Sequence, residues 1–315
     1  MTQIQRPPLT TLDGHDIGRF AFGTMQFGGR ADEAASAAMY EASRAQGLRH
    51  FDTGYVYTEG ASEEILGRLI AEERGSLFIA TKVGMAGGGS EENMRAQFDT
   101  CRARLKLDSV DLLYLHRFDP DTPLEETLTC FAELKQAGLI RHVGLSNFAA
   151  WQVMKAVAIA ERMGLTIDVL QPMYSLVKRQ AEVEILPMCA DQAILPVPYS
   201  PLGGGLLTGK YAHGGSGRLK EDARYAARYG QEWMYRCATD LLALAKEIGT
   251  DPATLAVAWA AAHPIHPVPI LSARSAEQLA PSLAAITFEM TPDLYARIAA
   301  LSPRPAPATD RLEEA

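Results

Sequence analysis

Hydrophobic positions along the chain fall into short continuous runs, separated by longer stretches in which apolar residues recur at helical spacing. Runs at 18–24, 49–53, 77–82, 110–115, 140–146, 167–172, 194–199 and 266–271 read as eight strands. LFIATK, VDLLYL and ILPVPY are apolar nearly throughout and do not alternate. A strand covered by helices on both faces reads that way, so the sheet is expected to be parallel. The stretches between carry helix signals. Ser62 and Glu63 open one helix that is expected to end at Gly67, and Pro123 with Glu125 and Glu126 opens another that Gly138 closes. Ahead of the repeat, residues 8–22 hold an Asp13-Gly14 turn between two short strands, the signature of a hairpin.

Eight strand-helix units with no linker predict an α/β chain folded as a closed (β/α)8 TIM barrel with an N-terminal β-hairpin cap, one domain over residues 1–315. A doubly wound sheet is the alternative. The longest irregular stretch, 203–230, contains GGG and HGGSG; a loop of that size usually binds ligand or acts as a lid, the alternative being a disordered insertion. The Pro/Ala-rich, acidic tail 302–315 is expected to cross the surface without regular structure.

Composition narrows the picture. Of 315 residues 47% are hydrophobic and 22% charged, the balance of a chain with a packed core. A net charge of -8 argues against a nucleic-acid surface, though not against small cationic pockets. Cys101, Cys130, Cys189 and Cys237 stand apart with no C-x-x-C, so neither a zinc ribbon nor a disulfide framework is expected, and no metal site. The start MTQIQRPPLTT has no cationic segment leading into an apolar one, and no apolar run reaches the ~20 residues of a membrane span. A reducing, cytoplasmic location with no membrane partner is the expectation.

In a β/α barrel the carboxyl ends of the strands converge on one face. Strand two ends in Asp52 with Tyr57 five residues on, strand three ends in Lys82, and His116 follows strand four. Each alone has a plain explanation: a turn aspartate, a lysine reaching solvent, a core histidine, a half-buried aromatic. At the ends of strands ~4.8 Å apart they form one cluster, and the coincidence is the signal. That chemistry suits proton transfer to a carbonyl oxygen. An ammonium ~4 Å from a tyrosine stabilises its phenolate by up to ~4 kcal/mol at an effective dielectric of 20, enough to lower its pKa by up to ~3 before desolvation opposes it. Asp52 would hold Lys82 charged, and a neutral His116 would orient or polarise the carbonyl.

At these residues the sequence resembles the aldo-keto reductase superfamily, over nearly its whole length. The most specific stretch is DTGYVYTEGASEEILG at 52–67, followed in the family's order by ATKVG (80–84), DLLYLHRFD (111–119), GLSNF (144–148), QPMYSL (171–176) and YSPLGGGLLTGK (199–210). The resemblance implies a barrel binding NADPH, with Asp52, Tyr57, Lys82 and His116 as a catalytic tetrad and Tyr57 as general acid/base. It implies that Ser146, Asn147 and Gln171 hold the nicotinamide carboxamide and Tyr199 stacks on the ring, with Gly23, Thr24, Met25 and Asp52 close by. Ser200, Pro201, Leu202, Gly203 and Gly205 match the loop crossing the pyrophosphate, with Lys210 and Arg224 as phosphate partners. ILSARSAEQLAPSLAA at 270–285 resembles the segment holding the adenosine 2′-phosphate, through Leu271, Ser272, Arg274, Gln278 and Ser282. Arg274 favours NADPH by charge-assisted pairing; Ser282, where Asn is usual, leaves NADH as second choice. No G-x-G-x-x-G joins a strand to a helix, so a Rossmann site is not expected.

Two further departures concern the pocket. Thr58 occupies a position commonly Gly. Arg117 follows His116 where an aromatic is frequent, and it meets either an anionic or polyhydroxylated substrate or Asp119 in a surface ion pair. Met25, Phe27, Met85, Phe118, Phe148 and Trp233 are candidate pocket walls. The expected function is hydride transfer between NADP(H) and an aldehyde, a ketone or an open-chain sugar. The alternatives are a slow NADP(H)-binding sensor or accessory subunit, and an enzyme working mainly as an alcohol or sugar dehydrogenase.

Overall fold

The structure, a computed structural model, describes residues 9–314. The opening residues 1–8, the first residue of the expected hairpin among them, and residue 315 of the tail lie outside the described residues. Eight strands appear at the eight apolar runs: β1 (Ala21–Gly23), β2 (His50–Asp52), β3 (Phe78–Val83), β4 (Val110–Leu115), β5 (Ile140–Ser146), β6 (Val169–Gln171), β7 (Leu195–Pro196) and β8 (Ile270–Leu271). Every ladder is parallel, in the order β7-β6-β5-β4-β3-β2-β1-β8, with helices on the outside. The ring closes between β7 and β8 through Val268 N–H to the Pro196 carbonyl and Ile270 N–H to the Pro198 carbonyl, both 2.9 Å. Pro196 and Pro198 have no N–H to return, which leaves this seam with half the usual bonds. The (β/α)8 barrel is the fold, and the doubly wound sheet is excluded by the closure.

Inside the ring, Phe78, Ala80, Leu112, Tyr114, Val169, Val197, Val268 and Ile270 form a packed core. Tyr114 fits because β5 carries Gly144 opposite it: a β-carbon there would sit 2.3 Å from Tyr114 Cδ1. Outside, the strands' other faces meet the helices, whose starts follow the sequence signals. Asp32, Ser90 and Asp251 each accept a backbone N–H at the head of a helix, and Pro123 immediately precedes Leu124–Gln136. Among the described residues no helix is long and apolar enough to cross a membrane.

Three expectations are corrected. The hairpin at 8–22 reduces to a turn around Gly14 and a single antiparallel bridge, Thr10 to Asp16, because the apolar run it was to use belongs to barrel strand β1. Gly67 does not end its helix, which runs over Ala61–Leu69; it lets that helix pack on Glu91–Leu105, since a β-carbon there would lie 2.5 Å from the Leu105 carbonyl oxygen. The stretch 203–230 is no bare loop. It folds into 3-10 turns at Gly203–Thr208 and Lys210–His213 and helices at Arg218–Glu221 and Ala223–Tyr229, anchored by buried Leu206, Leu207, Leu219 and Tyr229.

Candidate active site

Asp52 and Lys82 project from the last turns of β2 and β3 into the carboxyl end of the barrel, and both are buried. The Lys82 ammonium donates to Asp52 Oδ1 and, at 2.7 Å, to the Thr53 carbonyl. Gln171, at the end of β6, donates to the other Asp52 oxygen at 2.9 Å. Above this pair stand two rings: Lys82 Nζ lies 5.0 Å from the centre of the Tyr57 ring, which meets the His116 ring edge to face at 5.7 Å. The four side chains read together in the sequence therefore meet at one point.

Burial sets the protonation states. It is the largest influence on Tyr57 and holds its phenol above the ordinary value, against the pull of Lys82. Lys82 pulls the pKa down as expected, but the opposing desolvation is the larger influence and the net direction is up. Burial also opposes the charge on Lys82, yet Asp52 and Tyr57 together outweigh it and the pKa is raised. His116, desolvated and close to Lys82 and Arg117, is pushed down to about 3 and is neutral in ordinary buffers. The cluster thus offers a protonated phenol, a neutral imidazole and a fixed ammonium.

Tyr57 sits at the start of an unusual turn. Thr58 (φ 48°) and Glu59 (φ 56°) are both left-handed, at a cost of roughly 1–2 kcal/mol each for residues with a β-carbon. Asn147, just past β5, is also left-handed (φ 57°). Its amide donates to the His116 carbonyl at 2.9 Å and to Ser146 Oγ at 3.1 Å, and its oxygen accepts the Tyr199 hydroxyl at 2.7 Å. Asn147 is accordingly committed to holding β4 and β7 to β5, and it can meet a carboxamide only by exchanging one of these bonds.

A cavity of about 680 Å3 opens over the cluster. Its wall includes Gly23, Met25, Asp52, Tyr57, His116, Ser146, Asn147, Gln171, Tyr199, Ser200, Pro201, Leu202, Gly205, Lys210, Arg224, Leu271, Ser272, Arg274, Gln278 and Ser282. Three expected members do not line it, Lys82 being wholly buried. Thr24 is buried behind the wall, bonded to Ser62 and to the Asp52 carbonyl, and Gly203 is packed on Val177 while Gly204 takes its place at the surface of the cavity. Of the candidate walls, Met25 and Met85 line the cavity and Phe27, Phe118, Phe148 and Trp233 do not. Phe27 is wholly buried, and Phe118 stacks edge to face on Phe148 and Trp151. Asp119 accepts from Gly89 N–H, Asp121 N–H and Thr122; Arg117 helps to lower its pKa through its charge without forming a direct ion pair among those described, and Arg117 lines the cavity.

The sequence reading missed Arg218, Tyr225 and Arg228. Arg218 donates to the Tyr225 hydroxyl at 3.0 Å, and Tyr225 and Arg228 lie one helical turn apart on Ala223–Tyr229. The three-residue spacing was the available signal, hidden because the segment was read as a loop. Beside the main cavity these residues share a second one of about 430 Å3 with Arg30, Arg224 and a single carboxylate, Asp222, which Arg224 already occupies at 2.9 Å. Next to Asp222 in the chain, Glu221 bridges Arg30 (2.9 Å) and Arg274 (3.6 Å). Burial, then mutual repulsion, lowers the pKa of both Lys210 and Arg274, the condition of cations gathered for an anion.

Comparison with known proteins agrees with this geometry. The profile of the Aldo/keto reductase family matches residues 19–303. The chain is 31% identical over 318 residues to an uncharacterized oxidoreductase, YrpG, of Bacillus subtilis (strain 168), covering 94% of this chain and 95% of that protein. It is 37% identical over 217 residues to aflatoxin B1 aldehyde reductase member 2 of Rattus norvegicus, covering 67% of this chain and 58% of the rat protein. It is also 29% identical over 310 residues to a probable voltage-gated potassium channel subunit beta of Oryza sativa subsp. japonica, covering 91% and 94%. A parallel eight-stranded barrel, an Asp-Lys pair under a tyrosine and a histidine, and a match over most of the chain lead to one assignment: the chain belongs to the aldo/keto reductase family.

Proposed function

We propose that the protein reduces aldehydes or ketones with NADPH, that Tyr57 gives the proton to the carbonyl oxygen, and that the favoured substrates carry an anionic group. The observation that carries the reading is the buried Asp52–Lys82 pair beneath Tyr57 and His116, in a cavity that also runs past Lys210 and Arg274. Those residues fit NADPH by their chemistry: a polar set at Ser146, Asn147 and Gln171 for a carboxamide, the Tyr199 ring for a flat heterocycle, and cations whose charge wants an anion. NADPH, when bound, supplies the hydride. Tyr57 stays protonated in ordinary buffers and is the proton source; Lys82 stabilises the phenolate that remains, and Asp52 keeps Lys82 in place. Neutral His116 donates a hydrogen bond to the carbonyl oxygen and turns it toward Tyr57.

Substrate class rests on Arg117 and Arg228, which line the same cavity; neither makes a direct ion pair among those described, and the nearest carboxylate to feel Arg117, Asp119, is already hydrogen-bonded to Gly89, Asp121 and Thr122. NADPH oxidation with an ω-carboxylated aliphatic aldehyde, set against its neutral homologue of equal length, tests the proposal. The carboxylated substrate is expected to have a kcat/KM about 10-fold higher or more, the worth of one charge-assisted hydrogen bond. Equal values would remove the anionic preference, and no turnover across aldehydes, ketones, keto sugars and dicarbonyls would remove the reductase itself.

A further inference from the structure

Tyr57 is followed by three residues of positive φ: Thr58 (48°), Glu59 (56°) and Gly60 (101°). Glycine at position 58 would make the same turn without strain, so the threonine side chain has to supply something that glycine lacks. Its hydroxyl donates to the Phe27 carbonyl at 2.7 Å and accepts the Ser62 N–H at 3.0 Å. Phe27 belongs to the loop after β1, whose Met25 and Gln26 line the same cavity as Tyr57. Ser62 stands in the first turn of the helix Ala61–Leu69, and its own hydroxyl donates to the Thr24 carbonyl of the same loop at 2.8 Å. The Thr58 methyl packs where Gly29 has no side chain: a β-carbon there would come within 2.7 Å of Thr58 Cγ2. One side chain thus ties the Tyr57 turn both to the loop after β1 and to the first turn of the helix that follows, and it lines both cavities.

Proton donation requires a hydroxyl within ~2.6–3.2 Å of its acceptor, and a misplacement of ~1 Å costs on the order of 100-fold in rate. We infer that Thr58 is a positioning residue for Tyr57, its hydroxyl clamping the turn so that the phenol stays aligned above Lys82. The inference rests on the proposed role of Tyr57 as the acid and extends it to a neighbour that never meets the reacting atoms.

Three variants separate the parts of this side chain. Thr58→Val keeps the shape and removes the hydroxyl, Thr58→Ser keeps the hydroxyl and removes the methyl, and Thr58→Gly removes both while suiting the backbone. Thr58→Val and Thr58→Gly are expected to lower kcat by about 10-fold or more, with KM for the carbonyl and the NADPH affinity changed by less than about 3-fold, and Thr58→Ser to keep kcat within about 3-fold. Because Thr58→Gly relieves the strained φ, a loss there is not a folding failure, and melting temperatures taken alongside check this. A second readout needs no turnover: with ring-labelled tyrosine, the Tyr57 resonance, assigned through Tyr57→Phe, shifts or broadens in Thr58→Val and Thr58→Gly and stays put in Thr58→Ser. A wild-type protein that reduces no carbonyl would defeat the reductase reading while the resonance still decides the clamp. An unmoved Tyr57 resonance, or full kcat, in both Thr58→Val and Thr58→Gly overturns the inference.

Discussion

Two buried carboxylates, on β2 and β4 with β3 between them, are ion-paired, and only one of them belongs to the reaction cavity. Asp111, at the start of β4, is wholly buried and takes Arg74 at 2.8 Å, Arg141 at 2.7 Å and the Ile79 N–H at 2.7 Å. Arg141 also holds the Thr10 carbonyl at 2.7 Å, so this cluster staples the N-terminal segment to the barrel's closed end. Asp52, at the end of β2, takes Lys82 and Gln171, and its cluster opens into the cavity beside Tyr57 and His116. Arginine does not release its proton, whereas lysine, tyrosine and histidine do when their surroundings change. A buried ion pair is thus a fastener when every partner is an arginine or a backbone amide, and becomes chemical machinery when its partners hold movable protons and face a cavity.

The contrast can be broken most sharply at Tyr57. Tyr57→Phe is expected to lower kcat by about 10^2 to 10^4 while melting temperature and NADPH binding hold; a variant as fast as the wild type would leave the Asp52 cluster as structural as the other. Asp111→Ala should do the opposite. Removing the shared partner of two arginines is expected to cost about 3–5 kcal/mol in denaturant unfolding, with kcat per folded molecule unchanged. If activity fell in step with nothing else, the division between the two ends would be wrong. Arg274→Ala is expected to weaken NADPH by about 10- to 100-fold and NADH far less, read by fluorescence titration, because only one of them carries the 2′-phosphate.

The last effect is an acid one, read in stability alone. His50, wholly buried inside the barrel with neither ring nitrogen hydrogen-bonded, is pushed down to about 3 by burial and then by Lys82, and His116 likewise reaches about 3. Unfolded, each takes its proton near pH ~6.5. The unfolded state therefore binds more protons between about 6.5 and 3, so the stability these residues contribute is complete above about 6.5 and drains away as pH falls, by up to ~1.4 kcal/mol per pH unit for each. Urea midpoints at pH 5 and 7 should differ in that sense, and His50→Leu should shrink the difference by about half. An unchanged pH dependence would mean that His50 is protonated inside the barrel.

Much of this was legible in residues alone. Apolar runs such as LFIATK and VDLLYL are local, and a parallel barrel demands them in every strand, so all eight strands appear where the pattern puts them, β3, β4 and β5 at full length and the other five shorter. Asp52, Lys82 and His116 were readable as one group because strand ends in a barrel converge. The errors share a cause. The Asp13-Gly14 turn is a true local signal, but whether its flanks pair depends on which distant strand claims the run at 18–24. Gly67 reads as a stop and works as a contact with Leu105, and the choice left open for Arg117, between a substrate and Asp119, could be made only once packing set it in the cavity wall.

What the sequence determined by itself is the periodicity, hence the barrel, and the residue types set at the ends of its strands. What only the tertiary structure decided is water and company. Burial raises the phenol of Tyr57 when the nearby charge alone would have lowered it. The fold of 203–230 brings Arg218, Tyr225 and Arg228 to the cavity and Glu221 between Arg30 and Arg274. Desolvation and charge crowding are properties of the space around an atom, and that space is filled by residues far away in the chain.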